Sequence, residues 1–86
     1  MWITAFITDN GAPKTGLSPI IMIRKVSDNS LIVNNGSMLE IGNGWYKYEL
    51  KSFSKISEHV ILIDANSDLI QNSERYQYTN YDYYKR

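Results

Sequence analysis

The 86-residue chain has no cysteine, which removes disulfides and thiolate metal sites together. Histidine is nearly missing as well. His59 stands alone among scattered carboxylates, short of a typical zinc ligand set. There is no charge imbalance: nine basic and nine acidic side chains cancel, and no run of like charge exceeds Arg24-Lys25 or Lys85-Arg86. Such a chain has no overall field to draw it to nucleic acid or an anionic membrane, so neither is expected as a partner. Apolar runs stop at about four residues, against the roughly 20 that a membrane-spanning helix needs. Met1-Trp2-Ile3-Thr4 has no basic segment leading into an apolar one, so the start does not read as a secretory signal. The expectation is a product made in the cytoplasm.

At this length there is room for one domain. A chain so short buries only about two-thirds of its unfolded surface, which leaves a marginal core. Small domains make up the deficit with disulfides, a metal or a partner. With the first two unsupported by composition, oligomerisation or docking on a larger assembly is the expected support.

What the chain does have is β-branched and aromatic residues in short runs between turn residues. Trp2-Ile3-Thr4-Ala5-Phe6-Ile7-Thr8 reads as a first strand, and a second opens at Ser18-Pro19 and runs to Lys25. Ser27-Asp28-Asn29-Ser30 is a turn before a short third strand, Leu31-Ile32-Val33, and Asn34-Asn35-Gly36 turns the chain again before residues 37–41. Gly42-Asn43-Gly44 closes a hairpin into residues 45–51. Asn-Gly pairs recur at 10–11, 35–36 and 43–44, where both residues tolerate the positive φ of hairpin turns. Alternation in residues 45–51 puts Tyr46, Tyr48 and Leu50 on a core face, with Lys47, Glu49 and Lys51 opposite. His59-Val60-Ile61-Leu62-Ile63-Asp64 is nearly continuous apolar and predicts a central strand covered on both sides. Residues 55–58 predict a helical turn, 65–73 a loop and 74–79 a last strand. The expected fold is all-β: a single small antiparallel β-sandwich of six or seven short strands over residues 1–79, followed by a tail over 80–86.

Candidate chemistry is thin. General-base work by His59 needs an orienting partner and a nucleophile from separate elements. Ser54 and Ser57 stand near it only in sequence, so His59 reads as a polar residue at a strand start. Asp64-Ala65-Asn66-Ser67-Asp68 repeats the opening of a calcium loop. Such loops need glycine at the sixth position and a bidentate acid at the twelfth. Leu69 and Arg75 stand there, so a polar turn capped by Asx side chains is expected. Paired carboxylates for glycoside hydrolysis and a phosphate-binding glycine loop both fail on context. No catalytic, cofactor-binding or metal-binding residue is assigned, and a small-molecule ligand is not expected.

Tyrosine is the unusual signal. Five of the seven fall after position 75, at Tyr76, Tyr78, Tyr81, Tyr83 and Tyr84. Tyr81, Tyr83 and Tyr84 on a terminal tail are costly to leave in water and efficient at filling a partner's pocket. With Trp2 and Trp45 they form the expected partner-binding set.

Thr15-Gly16-Leu17-Ser18-Pro19-Ile20, then Met38-x-Glu40-x-Gly42-x-Gly44-Trp45-Tyr46-x-Tyr48, then Ile63-Asp64 and Glu74-Arg75-Tyr76 follow in an order that resembles the small transthyretin-like or immunoglobulin-like β-sandwich proteins of tailed bacteriophages. The likeness spans positions 15 to 76. Ala65-Asn66 departs from the glycine pair that follows the aspartate there, and the tyrosine tail lies outside the pattern. The resemblance implies a non-enzymatic virion protein with no catalytic residues. The expected role is an auxiliary capsid (head decoration) protein, in multiple copies, bound to the major capsid protein or other virion proteins. A tail, neck or baseplate adaptor is the alternative within the virion. A glycan-binding module using Trp2, Trp45 or the tail tyrosines is the alternative of another class.

Overall fold

A computed structural model describes residues 1–51 and 58–82, the side chains of 80–82 excepted. The expected helical turn at 55–58 therefore lies largely outside the described residues, as do Ser54, Ser57, Tyr83 and Tyr84. Among the described residues there are nine strands and one helical turn. In order they are β1 (Trp2–Phe6), β2 (Thr8–Asp9), β3 (Ala12–Pro13), β4 (Ile20–Lys25), β5 (Leu31–Ser37), β6 (Leu39–Gly42), β7 (Trp45–Glu49), β8 (Glu58–Asp64), α1 (Asn72–Arg75) and β9 (Tyr76–Asp82). They form a three-stranded sheet β1-β7-β6, a four-stranded sheet β5-β4-β8-β9 and the small β2-β3 hairpin, all antiparallel.

Period-2 alternation builds the core. Ile3 and Ala5 of β1 and Tyr46 of β7 point inward, with Leu50 just beyond. Ile21 and Ile23 of β4 and Ile61 and Ile63 of β8 meet them from the other sheet, in one cluster of buried side chains. The all-β sandwich expected from the pattern is present, with nine strands among the described residues in place of the expected six or seven.

Turn chemistry explains two of the connections. Asn10 (φ 53°) with Gly11 (φ 82°), and Asn43 (φ 56°) with Gly44 (φ 90°), each place two residues at positive φ between paired strands, as a two-residue hairpin requires. The third Asn-Gly pair behaves differently. Residues 34–36 do not reverse the chain but lie within β5, where Asn35 adopts φ 57°. Ile21 opposes Gly36 and Ile23 opposes Val33, so β5 spends one residue more than β4 over the same stretch. The positive φ serves a β-bulge here, and nothing local distinguishes that use from a turn.

β5 then runs through Met38, whose N–H donates to the Pro19 carbonyl at 3.0 Å, into β6. One extended run, 31–42, thus belongs to both sheets and bends between them. β8 is central, between β4 and β9, as expected, but it is covered on one side only. Ile61 and Ile63 are buried, whereas Val60 is 43% exposed and Leu62 half-buried on the outer face. The continuous apolar run reflects an apolar outer surface, not a second covering layer. The last strand also differs. Glu74 and Arg75 belong to α1, and β9 continues to Asp82, so residues 80–82, read as the start of a tail, pair through their backbone with β8.

Gly36 admits one specific test. A Cβ there would stand 2.8 Å from Tyr48 Cε1 and 2.8 Å from Val33 Cγ1, because the half-buried Tyr48 ring lies against this backbone. Gly36→Ala is expected to lose about 1–3 kcal/mol of stability through overpacking. In urea denaturation its cost should combine with that of Tyr48→Ala to less than the sum of the two. An additive pair would show that the tyrosine is not what crowds the site.

Candidate functional site

The hairpin β2-β3 is held from a distance by α1. Glu74 accepts the Thr8 hydroxyl at 2.6 Å and the backbone N–H groups of Asn10 at 2.8 Å and Gly11 at 2.9 Å. Backbone donors converge on it because the Asn10–Gly11 turn leaves them pointing outward, and these bonds hold the Glu74 carboxyl below its ordinary pKa.

The next residue turns the other way. Arg75 donates through Nε to Asp64 Oδ1 at 2.7 Å and through Nη1 to Asp68 Oδ1 at 2.8 Å. Burial alone would raise the Asp64 carboxyl. The hydrogen bonds from Arg75 and from the Asn66 N–H, with the Arg75 charge, outweigh it and hold the pKa low. The calcium-like segment is therefore a polar turn, as expected, with an Asx bond from Asn66 N–H to Asp64 Oδ1 at 2.8 Å. The arginine at its twelfth position engages both carboxylates. Among the described residues no group of three or more His, Cys, Asp or Glu side chains gathers as a metal site would require.

His59 is buried, with 1% of its surface exposed, on the inner face of β8. Burial lowers its imidazole pKa, and the nearby Lys25 charge lowers it further. A side chain so enclosed reads as part of the core. Tyr46 is likewise enclosed. Its hydroxyl donates to the Lys14 carbonyl at 2.8 Å and accepts the Leu17 N–H at 3.3 Å, and burial raises its pKa.

Trp2 and Trp45 lie on the outer face of the three-stranded sheet, 56% and 46% exposed. Trp45 pairs in register with Phe6, and the two rings lie 4.9 Å apart, tilted by 42°. The Lys47 ammonium sits 4.9 Å above the Trp2 ring. Leu39, opposite Lys47, and Ile41 extend the same sheet outward and are largely exposed. The two tryptophans thus share a face without touching, at opposite ends of β7. Tyr81 sits opposite His59 in the β8-β9 register. Its side chain, with all of Tyr83 and Tyr84, lies outside the described residues.

A second open surface was not foreseen. On the outer side of the four-stranded sheet, Met22, Arg24, Val60, Leu62 and Tyr78 line a shallow groove of about 760 Å³. Three adjacent strands contribute these residues, so only the register brings them together. Each open face offers an apolar floor with a cation at hand, Lys47 on one and Arg24 on the other. That arrangement suits contact with another macromolecular surface better than enclosure of a small substrate.

The Glu74 clasp makes acid sensitivity a test. A carboxyl whose folded pKa is depressed contributes stability above its ordinary value of 4.5, and the contribution is lost as pH falls through the lower, folded value. In urea denaturation from neutrality to about pH 3, Glu74→Gln should be less stable than the native chain at neutral pH, with the gap closing on acidification. A gap constant with pH would mean that the charge on Glu74 contributes nothing.

No family model matches the chain, and neither a curated protein nor a solved structure matches it.

Proposed function

We propose that this chain is a non-enzymatic structural protein of a tailed-phage virion, an auxiliary capsid (head decoration) protein that binds adjacent major capsid subunits in many copies. The observation that carries the reading is the outer face of the three-stranded sheet, where Trp2, Phe6, Leu39, Ile41 and Trp45 stand exposed together. Large exposed aromatic and aliphatic side chains on a flat sheet are the usual anchors of protein contacts. The small core supports the same reading, because a partner that binds only the folded state adds to its stability.

The motifs that carry the phage resemblance agree with a structural role. The Gly16 N–H donates to Glu40 at 3.1 Å, Leu17 meets the Tyr46 hydroxyl, and Asp64, Glu74 and Arg75 form the clasp. Each of these residues maintains the fold, which leaves docking to the outer faces and edges. Stacking on sugars is less favoured, because Lys47 already caps the Trp2 ring and Phe6 packs on Trp45.

The test is co-sedimentation of the purified chain with capsids of the phage that encodes it. Binding is expected, and Trp2→Ala and Trp45→Ala should each weaken it by about 30-fold, the mark of a hot spot near 2 kcal/mol. Their melting temperatures should stay close to the native value, since both side chains are half exposed. Binding to tail or neck particles alone would replace decoration with an adaptor role. Indifference to all virion parts, with a tryptophan fluorescence change on adding glycans, would overturn the reading in favour of a glycan-binding module.

A further inference from the structure

Among the described residues β9 is the most open edge, and its geometry specifies a partner. The Ala65 N–H donates to the Arg75 carbonyl at 2.9 Å, one step beyond the Asp64–Tyr76 pair, which marks that step as a hydrogen-bonded pair of the ladder. Bonded and non-bonded pairs alternate in an antiparallel ladder. The backbone groups of Gln77, Thr79 and Tyr81 therefore face β8, and those of Tyr76, Tyr78, Asn80 and Asp82 face outward. The Val26 N–H bond to the Glu58 carbonyl at 2.9 Å gives the same phase from the other side of β8.

Among the described residues no strand pairs with that outward side. Exposed edges are commonly blunted by bulges, proline, lysine or short length. The other edges here carry such devices. β5 has two register shifts, β6 is four residues long with another, and the Phe6 carbonyl of β1 accepts Gln77 Nε2 at 2.6 Å. β9 has none: seven consecutive residues oppose β8 without a shift, and the stretch contains no proline, lysine or arginine. Tyr78 on its outer face is 75% exposed, and Thr79 on its inner face is exposed as well. At these two positions both sides of the strand lie open.

The geometry points to a second copy of this chain as the occupant, with β9 pairing antiparallel to its counterpart about a two-fold axis at Thr79. An axis normal to the sheet keeps outer faces on one side, so residues of equal parity must oppose each other. The Thr79 register sets Tyr76 opposite Asp82 of the second copy and Tyr78 opposite its Asn80. All outward groups are then used, in about eight hydrogen bonds, two for each of four bonded pairs. Centring on Tyr78 instead would leave Asp82 without a partner inside β9, and centring on Asn80 would leave Tyr76 unmatched within the strand. In the Thr79 register the two Tyr78 side chains become diagonal neighbours on one face, within reach of aromatic contact. The groove of Met22, Val60 and Leu62 continues into that of the second copy, across an eight-stranded sheet. The inference stands independently of the virion reading, since it concerns the free protein.

The test uses the full chain in solution. Sedimentation at increasing concentration should show a dimer. Tyr78→Lys places two ammonium groups side by side at the edge and should give a folded monomer whose melting temperature, unlike that of the native chain, does not rise with concentration. Because the native chain has no cysteine, Thr79→Cys offers a clean cross-link: a non-hydrogen-bonded antiparallel pair brings Cα atoms to about 4.5 Å, within disulfide range. Under mild oxidation Thr79→Cys should form a covalent dimer at least tenfold faster than Leu69→Cys, which is 87% exposed and lies outside β9. A native chain that stays monomeric at high micromolar concentration would overturn the inference. So would a dimer that survives Tyr78→Lys, or a Thr79→Cys variant that cross-links no faster than the control. Loss of capsid binding with the dimer intact would count against the decoration role and leave this interface standing.

Discussion

Tyr46 is the side chain on which the closure of the sandwich depends. Its ring is fully buried in the three-stranded sheet. Its hydroxyl holds both Lys14 and Leu17, the two sides of the loop that carries the chain across to β4. Removing the hydroxyl would leave the partly buried Lys14 carbonyl and Leu17 N–H without this partner, which costs more than the bonds themselves contribute. Two further ties act with it. Residues 31–42 pass from one sheet to the other at Met38, and the adjacent Glu74 and Arg75 grip the β2-β3 hairpin and the turn after β8. A chain without disulfides is closed by hydrogen bonds between positions far apart in sequence.

This economy has a consequence at the surface. Among the described residues four strands face three, and Thr79 of β9 is left open on its inner side. The short strands also spend apolar residues outside: Trp2, Leu39, Ile41 and Trp45 on one sheet, Val60 and Tyr78 on the other. Apolar atoms are common on protein surfaces, but aligned rows of large side chains on two faces are a different matter. The same architecture that limits the core leaves surface for contacts, and the proposed role follows from that surplus.

Much of the fold was legible in local patterns. The alternation of Tyr46, Tyr48 and Leu50 identified a core face, and the Asn-Gly pairs at 10–11 and 43–44 located two hairpins. The third pair misled, because asparagine at positive φ suits a bulge as well as a turn, and only the register with β4 decides which. The apolar run of β8 was ambiguous in the same way: it marks a central strand but does not say whether one face or two are covered. The site was less legible than the fold. Trp2 and Trp45 stood out as candidates for partner contact, and their common face came only from the β1-β7 pairing. The groove between Met22 and Tyr78 assembles residues more than fifty positions apart, for which no local signal exists. Glu74 and Arg75 read as part of a strand, while their contacts lie with Thr8, Asn10, Gly11, Asp64 and Asp68.

The central claim is that the outer faces of this sandwich serve attachment to a larger protein assembly. Cryo-electron microscopy of the native particle that carries the chain tests it most directly. The account expects density for the sandwich at many equivalent positions on the shell, with the face of Trp2 and Trp45 turned onto a capsid subunit. Density that leaves that face in solvent, or a particle that lacks the chain altogether, would contradict it.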